Sequence, residues 1–274
     1  MRAPSTAHRA VRASAWGRAL LVASCAGAAA LSAMRLAGAS MPWWALAVAL
    51  AALLATVGVG VFVPASGVFA RPILAGIGDS PTVALTFDDG PDPVHTRRVL
   101  DLLDARGHRA TFFVIGARAE RHPDLVAEIA RRGHGLGNHS LHHAWRTPAL
   151  AAGRLTDELA RAGDIVERAA GTRPRWFRPP VGLISPPVAE AARRARLEIV
   201  AWTASARDGV TRATVEGSLA RLSRALRPGA ILVLHDAAER GGRAPICTEL
   251  LARLLDAMEA RGLRSVTLDE LLGE

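Results

Sequence analysis

The chain has no lysine and no tyrosine among its 274 residues, and it has only two cysteines. Without lysine there is no Schiff base or pyridoxal-phosphate aldimine, and without tyrosine there is no phenolic acid or base. Catalytic protons must therefore move through Asp, Glu, His or bound water. Cys25 lies in an apolar stretch and Cys247 is alone in the globular remainder, so a disulfide within the globular part is excluded.

Acidic residues are absent from the first 78 positions, which hold six arginines. The net charge of +9 therefore divides into +6 in this segment and +3 in the remainder, where 28 arginines face 25 acidic residues. An arginine excess ahead of an apolar segment predicts a cytoplasmic N-terminus and attraction to anionic lipid. Since no nucleic-acid-binding motif and no basic stripe with interleaved aromatics is present, we expect no nucleic acid partner.

Two apolar segments occupy this front end, at about residues 19–34 and 42–64. The second is long enough to cross a bilayer, with Trp43 and Trp44 as an interfacial anchor. The first is shorter and is compatible with a spanning helix, a signal-peptide core or one arm of a helical hairpin. We expect a membrane anchor with its linker over residues 1–78, in a bacterial-type cell envelope, with the side of the following domain undecided.

An apolar strand pattern beginning at Ala84 ends in two adjacent carboxylates, Asp88 and Asp89, before Gly90-Pro91 forces a turn. The carboxyl ends of buried parallel strands are where α/β proteins build their active sites. Adjacent carboxylates repel each other, so both stay ionised only beside a positive charge, of which a metal ion is the simplest.

Candidate ligands follow about fifty residues later, at His139 and His143. Their spacing of four predicts two imidazoles on one side of a helical turn. Together with Asp89 they would form a two-histidine, one-carboxylate site with open positions, which suits hydrolytic Zn²⁺ and also non-haem Fe(II). The alternatives, a polar surface turn and a solvated histidine loop, explain each motif alone but not both motifs on successive strand ends.

Short apolar strands alternate with amphipathic helices after residue 80. Strands are predicted at about 82–87, 110–115, 134–138, 175–178, 197–202, 230–235 and 264–268, and helices at about 96–106, 123–132, 150–169, 186–195, 213–226 and 245–261. Thr96 and Thr214 are predicted helix N-caps. The alternation indicates an α/β fold with a parallel sheet and right-handed crossovers, and it does not distinguish an open sheet from a closed barrel.

Five segments resemble, in order, the motifs of the polysaccharide deacetylase family, also called the NodB-homology or carbohydrate esterase family 4 enzymes. They are Thr86–Pro91, His139–His143, Phe177–Gly182, Trp202–Asp208 and Leu232–Asp236. The resemblance covers about residues 80–272 and is most specific in the first two motifs. It implies a distorted, incomplete (β/α) barrel over a catalytic domain of residues 79–274, with the site at the carboxyl ends of the strands.

The resemblance implies a divalent metal held by Asp89, His139 and His143, Zn²⁺ first, with Co²⁺, Ni²⁺ and Fe²⁺ as alternatives. The metal would polarise an amide carbonyl and lower the pKa of bound water. Asp88 would be the general base for that water, and Arg178, stiffened by the two prolines after it, would pair with Asp88.

The remaining roles concern the leaving amine and the oxyanion. His235, at the end of an apolar strand, would be the general acid, because an amine leaves only if it is protonated. Asp208 would orient His235 and stabilise its imidazolium form. The backbone N–H of Val181 is a candidate oxyanion donor.

Two positions depart from the family pattern. Val181 stands where a tyrosine is usual, which removes a ring contact to the sugar but keeps the backbone donor. Gly209 stands where a tryptophan usually walls the acetyl pocket, so either another group such as Trp202 fills this place or the pocket is wider. These departures concern the identity of the substrate, since the metal and acid–base residues are complete.

Three functions are compatible with these residues. The first is removal of N-acetyl groups from N-acetylated sugars of a cell-envelope polysaccharide, by hydrolysis of an amide C–N bond. The second is deacylation or deformylation of a lipid-linked sugar at the membrane face. The third is a membrane-anchored, non-catalytic glycan-binding protein, against which the complete catalytic set argues. The expected partners are an N-acetylated carbohydrate and membrane lipid.

Overall fold

The structure, a computed structural model, describes residues 12–209, 212–238 and 245–273. Its helices are α1 (Ala15–Leu36), α2 (Trp43–Phe62), α3 (His95–Ala105), α4 (Gly116–Arg121), α5 (Pro123–Arg131), α6 (Ala152–Ala170), α7 (Pro186–Arg194), α8 (Val215–Ala225), α9 (Cys247–Glu259) and α10 (Leu268–Leu272). Its strands are β1 (Thr82–Asp88), β2 (Ala110–Val114), β3 (Gly135–Asn138), β4 (Trp176–Phe177), β5 (Glu198–Ile199), β6 (Ala204–Ser205), β7 (Ile231–His235) and β8 (Arg264–Ser265).

The strands form one parallel eight-stranded sheet in the order β5-β4-β3-β2-β1-β7-β6, with β8 pairing with the start of β1. Helices that follow the strands pack on the outside of the curled sheet, so the domain is the distorted, incomplete (β/α) barrel that the resemblance implied. β1 lies near the centre, and its side chains from Val83 to Asp88 are buried. A strand buried on both faces needs a nearly continuous apolar run, and this explains the sequence before Asp88.

The seven strands and six helices predicted after residue 80 are all present with shifted bounds, whereas α4, α10 and β6 were not predicted. The strand predicted at 264–268 ends at Ser265, and α10 begins at Leu268. Thr214 caps α8 as predicted, since its side chain accepts the Gly217 N–H. The Thr96 prediction was wrong, because Thr96 lies inside α3 and its hydroxyl donates to the Asp236 carboxylate. The N-cap of α3 is Val94, and Asp92 supports the turn before it, since its Oδ1 accepts the N–H groups of residues 94 and 95.

Helices α1 and α2 form an antiparallel hairpin, and both are long and apolar enough to cross a bilayer. Hydroxyls of Ser24 and Thr56 lie 3.0 Å apart between the helices. Ser14 N–H, just before α1, donates to Gly67 O, just after α2, at 2.8 Å. The beginning of α1 and the end of α2 therefore lie at the same end of the hairpin. Arg2 and Arg9 of the predicted basic N-terminus lie outside the described residues.

The segment after the hairpin is built into the barrel. Ile73 forms a parallel bridge with Val200, and Ala75 forms an antiparallel bridge with Ala230. The hairpin itself also contacts the domain, because the Ile184 N–H donates to Val61 O near the end of α2 at 3.2 Å. These bonds fix the end of the hairpin against the side of the barrel that carries β4 and β5.

Candidate active site

The candidate site lies at the carboxyl edge of the sheet, where β1 and β7 end side by side. Asp88 ends β1 and is in register with His235, which ends β7. β3 ends one residue before His139. Because parallel strands place their carboxyl ends at one edge, three segments distant in sequence deliver their polar side chains to the same place.

A buried guanidinium holds the first carboxylate of the aspartate pair. Arg178 is fully buried, and its Nη1 donates to Asp88 Oδ1 at 2.7 Å and to Thr86 Oγ1 at 2.9 Å. Nη2 donates to Ala201 O at 3.1 Å, and the guanidinium lies 4.1 Å from the centroid of the Phe113 ring. Burial lowers the pKa of Arg178, although the charge of Asp88 opposes this. Asp88 therefore has one carboxylate oxygen fixed by a cation.

The second carboxylate faces two histidines. His139 Nε2 and His143 Nε2 each lie 3.4 Å from Asp89 Oδ1, and the three potential ligand atoms all lie within 4.8 Å of one another. Asp89 Oδ1 is buried and accepts no hydrogen bond from the described residues. The other ring nitrogen of His139, Nδ1, lies 2.7 Å from Arg178 O, which holds it as the protonated donor and leaves Nε2 as a lone-pair donor.

The two histidines do not lie on a helical turn, so that part of the prediction was wrong. They lie in a tight loop after β3, in which Ser140 has φ 67° and His143 has φ 49°. Ser140 N–H donates to Asn138 Oδ1 at 2.9 Å, and His143 N–H donates to Ser140 Oγ at 3.1 Å. Side-chain acceptors thus fold the loop back on itself and bring the two imidazole centroids to 4.8 Å.

The charges of this cluster fit a divalent cation. Burial by itself raises the pKa of Asp89, but the nearby imidazoles of His139, His143 and His235 outweigh it and lower that pKa to about 2. Burial and the charge of His139 lower the pKa of His143 to about 4. Burial also lowers the pKa of His139, yet Asp88 and Asp89 outweigh it and raise that pKa. A divalent cation bound among these three side chains would offset the charge of the two carboxylates.

A second histidine–carboxylate pair faces this cluster. His235 Nδ1 lies 2.6 Å from Asp208 Oδ1, and the His235 backbone N–H donates to Asp208 Oδ2 at 3.0 Å. Burial lowers the pKa of His235, but Asp208 first, then Asp88 and Asp89, raise it to about 10. The raised pKa favours the protonated ring, and the side chain is 22% exposed, so the ring is accessible from the cavity.

One cavity of about 480 Å³ joins these groups. Its lining comprises Asp88, Asp89, His139, His143, Val181, Gly182, Trp202, Ser205, Arg207, Gly209, Val233 and His235. The remaining two predicted site residues, Arg178 and Asp208, lie behind the lining and hold Asp88 and His235. All nine predicted side chains or backbone groups are therefore brought together at one edge of the sheet.

The loop after β4 forms one wall of the cavity. Val181 has φ 58°, which is a strained conformation for a β-branched residue, and its side chain is 64% exposed. Gly182 has φ 74°, and a Cβ there would lie 2.4 Å from the ring of Trp202. Trp202 is therefore packed directly on the backbone of this loop. Gly209 lines the same cavity with no side chain.

Sequence reasoning missed residues that support the site from behind. Asp236 is fully buried, accepts a hydrogen bond from Thr96, and packs so closely on Gly90 that a Cβ there would lie 2.5 Å from its Oδ2. Arg118 of α4 donates to Asp89 O and to Ala238 O, both at 2.8 Å. Of these supporting residues, Thr86 could have been identified from the sequence. It is a polar residue in an apolar strand, and it lies two positions before Asp88, so its side chain points to the same face as that of Asp88.

Comparison with known proteins agrees with this geometry. The family profile described as polysaccharide deacetylase matches residues 75–200. A peptidoglycan-N-acetylglucosamine deacetylase of Bacillus cereus is 34% identical over 192 residues, covering 69% of this chain and 87% of that protein.

Two solved structures show the same fold. A family 4 acetyl xylan esterase from Clostridium thermocellum, in complex with a cobalt ion, superposes with a TM-score of 0.63 at 33% identity, covering 69% of this chain and 89% of that one. A CE4 family pseudoenzyme from Bacillus anthracis superposes with a TM-score of 0.65 at 26% identity, covering 73% of this chain and 68% of that one. The identity and the coverage of the Bacillus cereus protein, with the matching profile, show that this chain belongs to the polysaccharide deacetylase family.

Proposed function

We propose that this protein is a metal-dependent deacetylase that removes N-acetyl groups from N-acetylated sugars of a cell-envelope polysaccharide. The reaction is hydrolysis of an amide C–N bond, which releases acetate and leaves a free amine on the sugar. The observation that carries the proposal is the arrangement of two carboxylates and three histidines around one cavity, with a separate partner for each carboxylate.

The first part of the site would hold the metal. Asp89, His139 and His143 supply one oxygen and two nitrogen donors, a set that suits Zn²⁺ with positions left for water and the acetyl oxygen. A divalent ion bound there would polarise the amide carbonyl and lower the pKa of the attacking water. The solved relative that contains cobalt supports Co²⁺ as an alternative.

Asp88 would take the proton from the attacking water. Arg178 holds Oδ1 of Asp88 at 2.7 Å, so the carboxylate keeps one orientation while its other oxygen stays available. The guanidinium charge also offsets the repulsion between Asp88 and the adjacent Asp89. Asp88 lines the cavity, whereas Arg178 does not, so Arg178 acts only through Asp88.

His235 would give a proton to the departing nitrogen. Its raised pKa keeps the ring protonated at neutral pH, and Asp208 holds Nδ1 so that Nε2 is the free proton donor. The backbone N–H of Val181 would stabilise the oxyanion, and Trp202 would wall the acetyl group. Gly209 leaves space beside Trp202, so the acyl pocket would be wider than in relatives that carry a tryptophan there.

The two candidate substrates differ in the molecule to which the N-acyl sugar is attached, a wall polymer or a lipid. The peptidoglycan-N-acetylglucosamine activity named for the Bacillus cereus relative supports a wall glycan. A lipid-linked N-acyl sugar, acetylated or formylated, is favoured by the contact between Val61 at the end of α2 and Ile184, which lies two residues after Gly182 of the cavity wall. On this proposal residues 1–78 anchor the catalytic domain of residues 79–274 so that its cavity opens close to the membrane.

The test is acetate release by the full chain in neutral detergent, with N-acetylglucosamine oligomers as substrate and O-acetylated xylan as the ester comparison. We expect acetate and new amines from the oligomers, loss of both after chelation, and recovery with Zn²⁺ or Co²⁺. Asp88→Asn is the matched control that keeps all three metal ligands. Release from xylan alone would replace the amide by an ester substrate. Metal binding without any release would indicate the non-catalytic, glycan-binding function. One solved relative is described as a pseudoenzyme of this family.

A further inference from the structure

A second cavity, of about 770 Å³, lies where the hairpin meets the barrel. Residues 12–15 and Arg18 form one side of it, residues 71–75 form another, and Glu198 and Ile199 of β5 complete the lining. It shares no lining residue with the active-site cavity. The function of this second cavity is therefore a separate question from catalysis.

Three arginines from two chain segments, Arg12 and Arg18 before and within α1 and Arg71 after the hairpin, line this cavity. Arg71 N–H donates to Arg12 O at 2.9 Å, which places the segments before and after the hairpin side by side. Arg18, in the first turn of α1, turns back toward the start of the helix, and its Nη1 donates to Ala13 O at 3.0 Å. All three side chains are exposed, as expected for long charged groups at the edge of an apolar segment.

None of the three arginines forms an ion pair with a carboxylate of the described residues. Glu198 is the one acidic residue in the lining, and its Oε1 is held by Arg175 at 2.7 Å from Nη2 and 2.8 Å from Nε. No acidic residue lies in the first turn of α1, a helix of 22 residues. The positive end of that helix dipole therefore adds to the charge of the arginines.

We propose that this cavity binds the phosphate group of an anionic membrane lipid. The cavity begins where the apolar hairpin ends, which is the depth of the headgroup layer if the hairpin spans the bilayer. Guanidinium groups bind phosphate oxygens through pairs of parallel hydrogen bonds, and three of them can surround one phosphate. The lipid would thereby fix the side of the barrel that carries β5 against the membrane surface. This proposal does not depend on the deacetylase activity.

The test uses the full chain in neutral detergent and native mass spectrometry with dioctanoyl phosphatidylglycerol as probe. We expect one phosphatidylglycerol retained per chain and little retention of dioctanoyl phosphatidylcholine. The combined variant Arg12→Gln, Arg18→Gln, Arg71→Gln should lower retention about tenfold or more, because the phosphate loses its charged donors. Arg35→Gln is the matched control, since Arg35 lies at the other end of α1 and donates to Met41 O.

A stability control, a second triple variant and a competition experiment complete the test. The thermal midpoint of the triple variant without lipid checks its fold. The corresponding Arg→Lys triple variant, which keeps the charge, should retain more lipid than the Gln variant and less than the original chain. Equal retention by the Gln variant, or equal retention of phosphatidylcholine, would overturn the proposal. Competition by millimolar inorganic phosphate as strong as that by the lipid would show a free-anion site and equally overturn it.

Discussion

Asp208 holds His235 through both of its carboxylate oxygens. One oxygen lies 2.6 Å from the ring Nδ1, and the other accepts the His235 backbone N–H at 3.0 Å. The ring can therefore neither rotate nor exchange its tautomer without breaking a bond to the same carboxylate. This pairing, with the charges of Asp88 and Asp89, raises the pKa of His235 to about 10 and makes the ring an acid at neutral pH.

Asp208→Asn tests this relationship through the pH dependence of turnover. With the His235 pKa raised to about 10, activity that needs the protonated ring should persist through neutral pH and fall only as the pH approaches 10. In Asp208→Asn the alkaline limb should move toward neutral pH, and turnover at pH 8 should fall about 10²–10⁴-fold. Measurement of kcat against pH checks this, and metal content should be unchanged. An alkaline limb at the original pH would contradict the role of Asp208.

The pair of His235 and Asp208 also stabilises the folded protein, by an amount that depends on pH. The folded-state pKa of His235 lies above its ordinary value of 6.5, so protonation favours the folded state. This stabilisation is fully present below pH 6.5 and is lost as the pH rises toward about 10. Asp208→Asn should therefore narrow the difference in thermal midpoint between pH 6 and pH 10. The variant removes the partner and not the titrating group, so the comparison isolates the pair.

Metal content distinguishes His139 from its neighbour His142. His139→Ala removes a donor whose Nε2 lies 3.4 Å from Asp89 Oδ1, and we expect loss of bound metal and of hydrolysis. His142→Ala, on an exposed side chain of the same loop, should keep both. Plasma emission analysis of the purified full-length variants measures the metal directly. Full metal occupancy in His139→Ala would remove that residue from the ligand set.

Arg178→Met tests the buried ion pair through stability. Without Arg178 the Asp88 carboxylate is left buried beside Asp89 with no cation, and such a loss costs about 3–5 kcal/mol. The matched control is Arg173→Met, whose partners Asp164 and Glu167 are exposed and whose loss should cost about 0–1 kcal/mol. Thermal unfolding of both variants, with metal removed, compares the two pairs. Similar midpoints for the two variants would contradict the structural importance of Arg178.

Gly182→Ala tests the wall formed by Trp202. The new Cβ would lie 2.4 Å from the Trp202 ring at a position with φ 74°, so the ring or the loop must move. We expect a lower kcat/KM and a lower thermal midpoint. Gly153→Ala in α6 is the control, because its Cβ would meet no atom within 4 Å and should stabilise the helix by up to about 1 kcal/mol. An unchanged kcat/KM for Gly182→Ala would mean that Trp202 does not contact the substrate.

The sequence predicts the site better than it predicts what supports the site. Asp88, Asp89 and His235 were predictable because strand ends and polar residue types are local signals. The convergence of His139 and His143 was predicted, but on the wrong geometry, since a helix-like spacing is also satisfied by a loop with two left-handed residues. A spacing in sequence constrains distance, and it does not determine the backbone between the residues.

The supporting contacts depend on pairs that are far apart in sequence. Thr96 looked like a helix cap, yet its hydroxyl is taken by Asp236, which lies 140 positions away. Arg118 stands on a six-residue helix too short for periodicity to reveal, and its bonds to two backbone carbonyls have no signature in sequence. Such residues become visible only when the sheet brings its loops together.

The antiparallel hairpin leads to a prediction about membrane topology. Because Ser14 and Gly67 are hydrogen-bonded at the same end of the hairpin, the N-terminus and the catalytic domain must share one side of the membrane if both helices span it. Arg12, Arg18 and Arg71 lie at that end, and Arg35 lies near the other end, so the arginine excess predicts that the shared side is the cytoplasm.

A reporter fused after Glu274 tests this topology. Fluorescence from a reporter that matures only in the cytoplasm is the expected result, and the same reporter placed before Met1 should give the same answer. Activity of a phosphatase that folds only after export would instead mean a single crossing, with α1 or α2 outside the bilayer.

The two outcomes favour different substrates, a sugar linked to a lipid or a sugar of the wall polymer. A cytoplasmic domain cannot reach a mature wall polymer, so the lipid-linked N-acyl sugar becomes the substrate, whereas an exported domain is compatible with the wall glycan. Deletion of residues 19–41, which removes most of α1 but keeps four N-terminal arginines ahead of α2 as a lone span, should reverse the side of the reporter if the hairpin is what sets it.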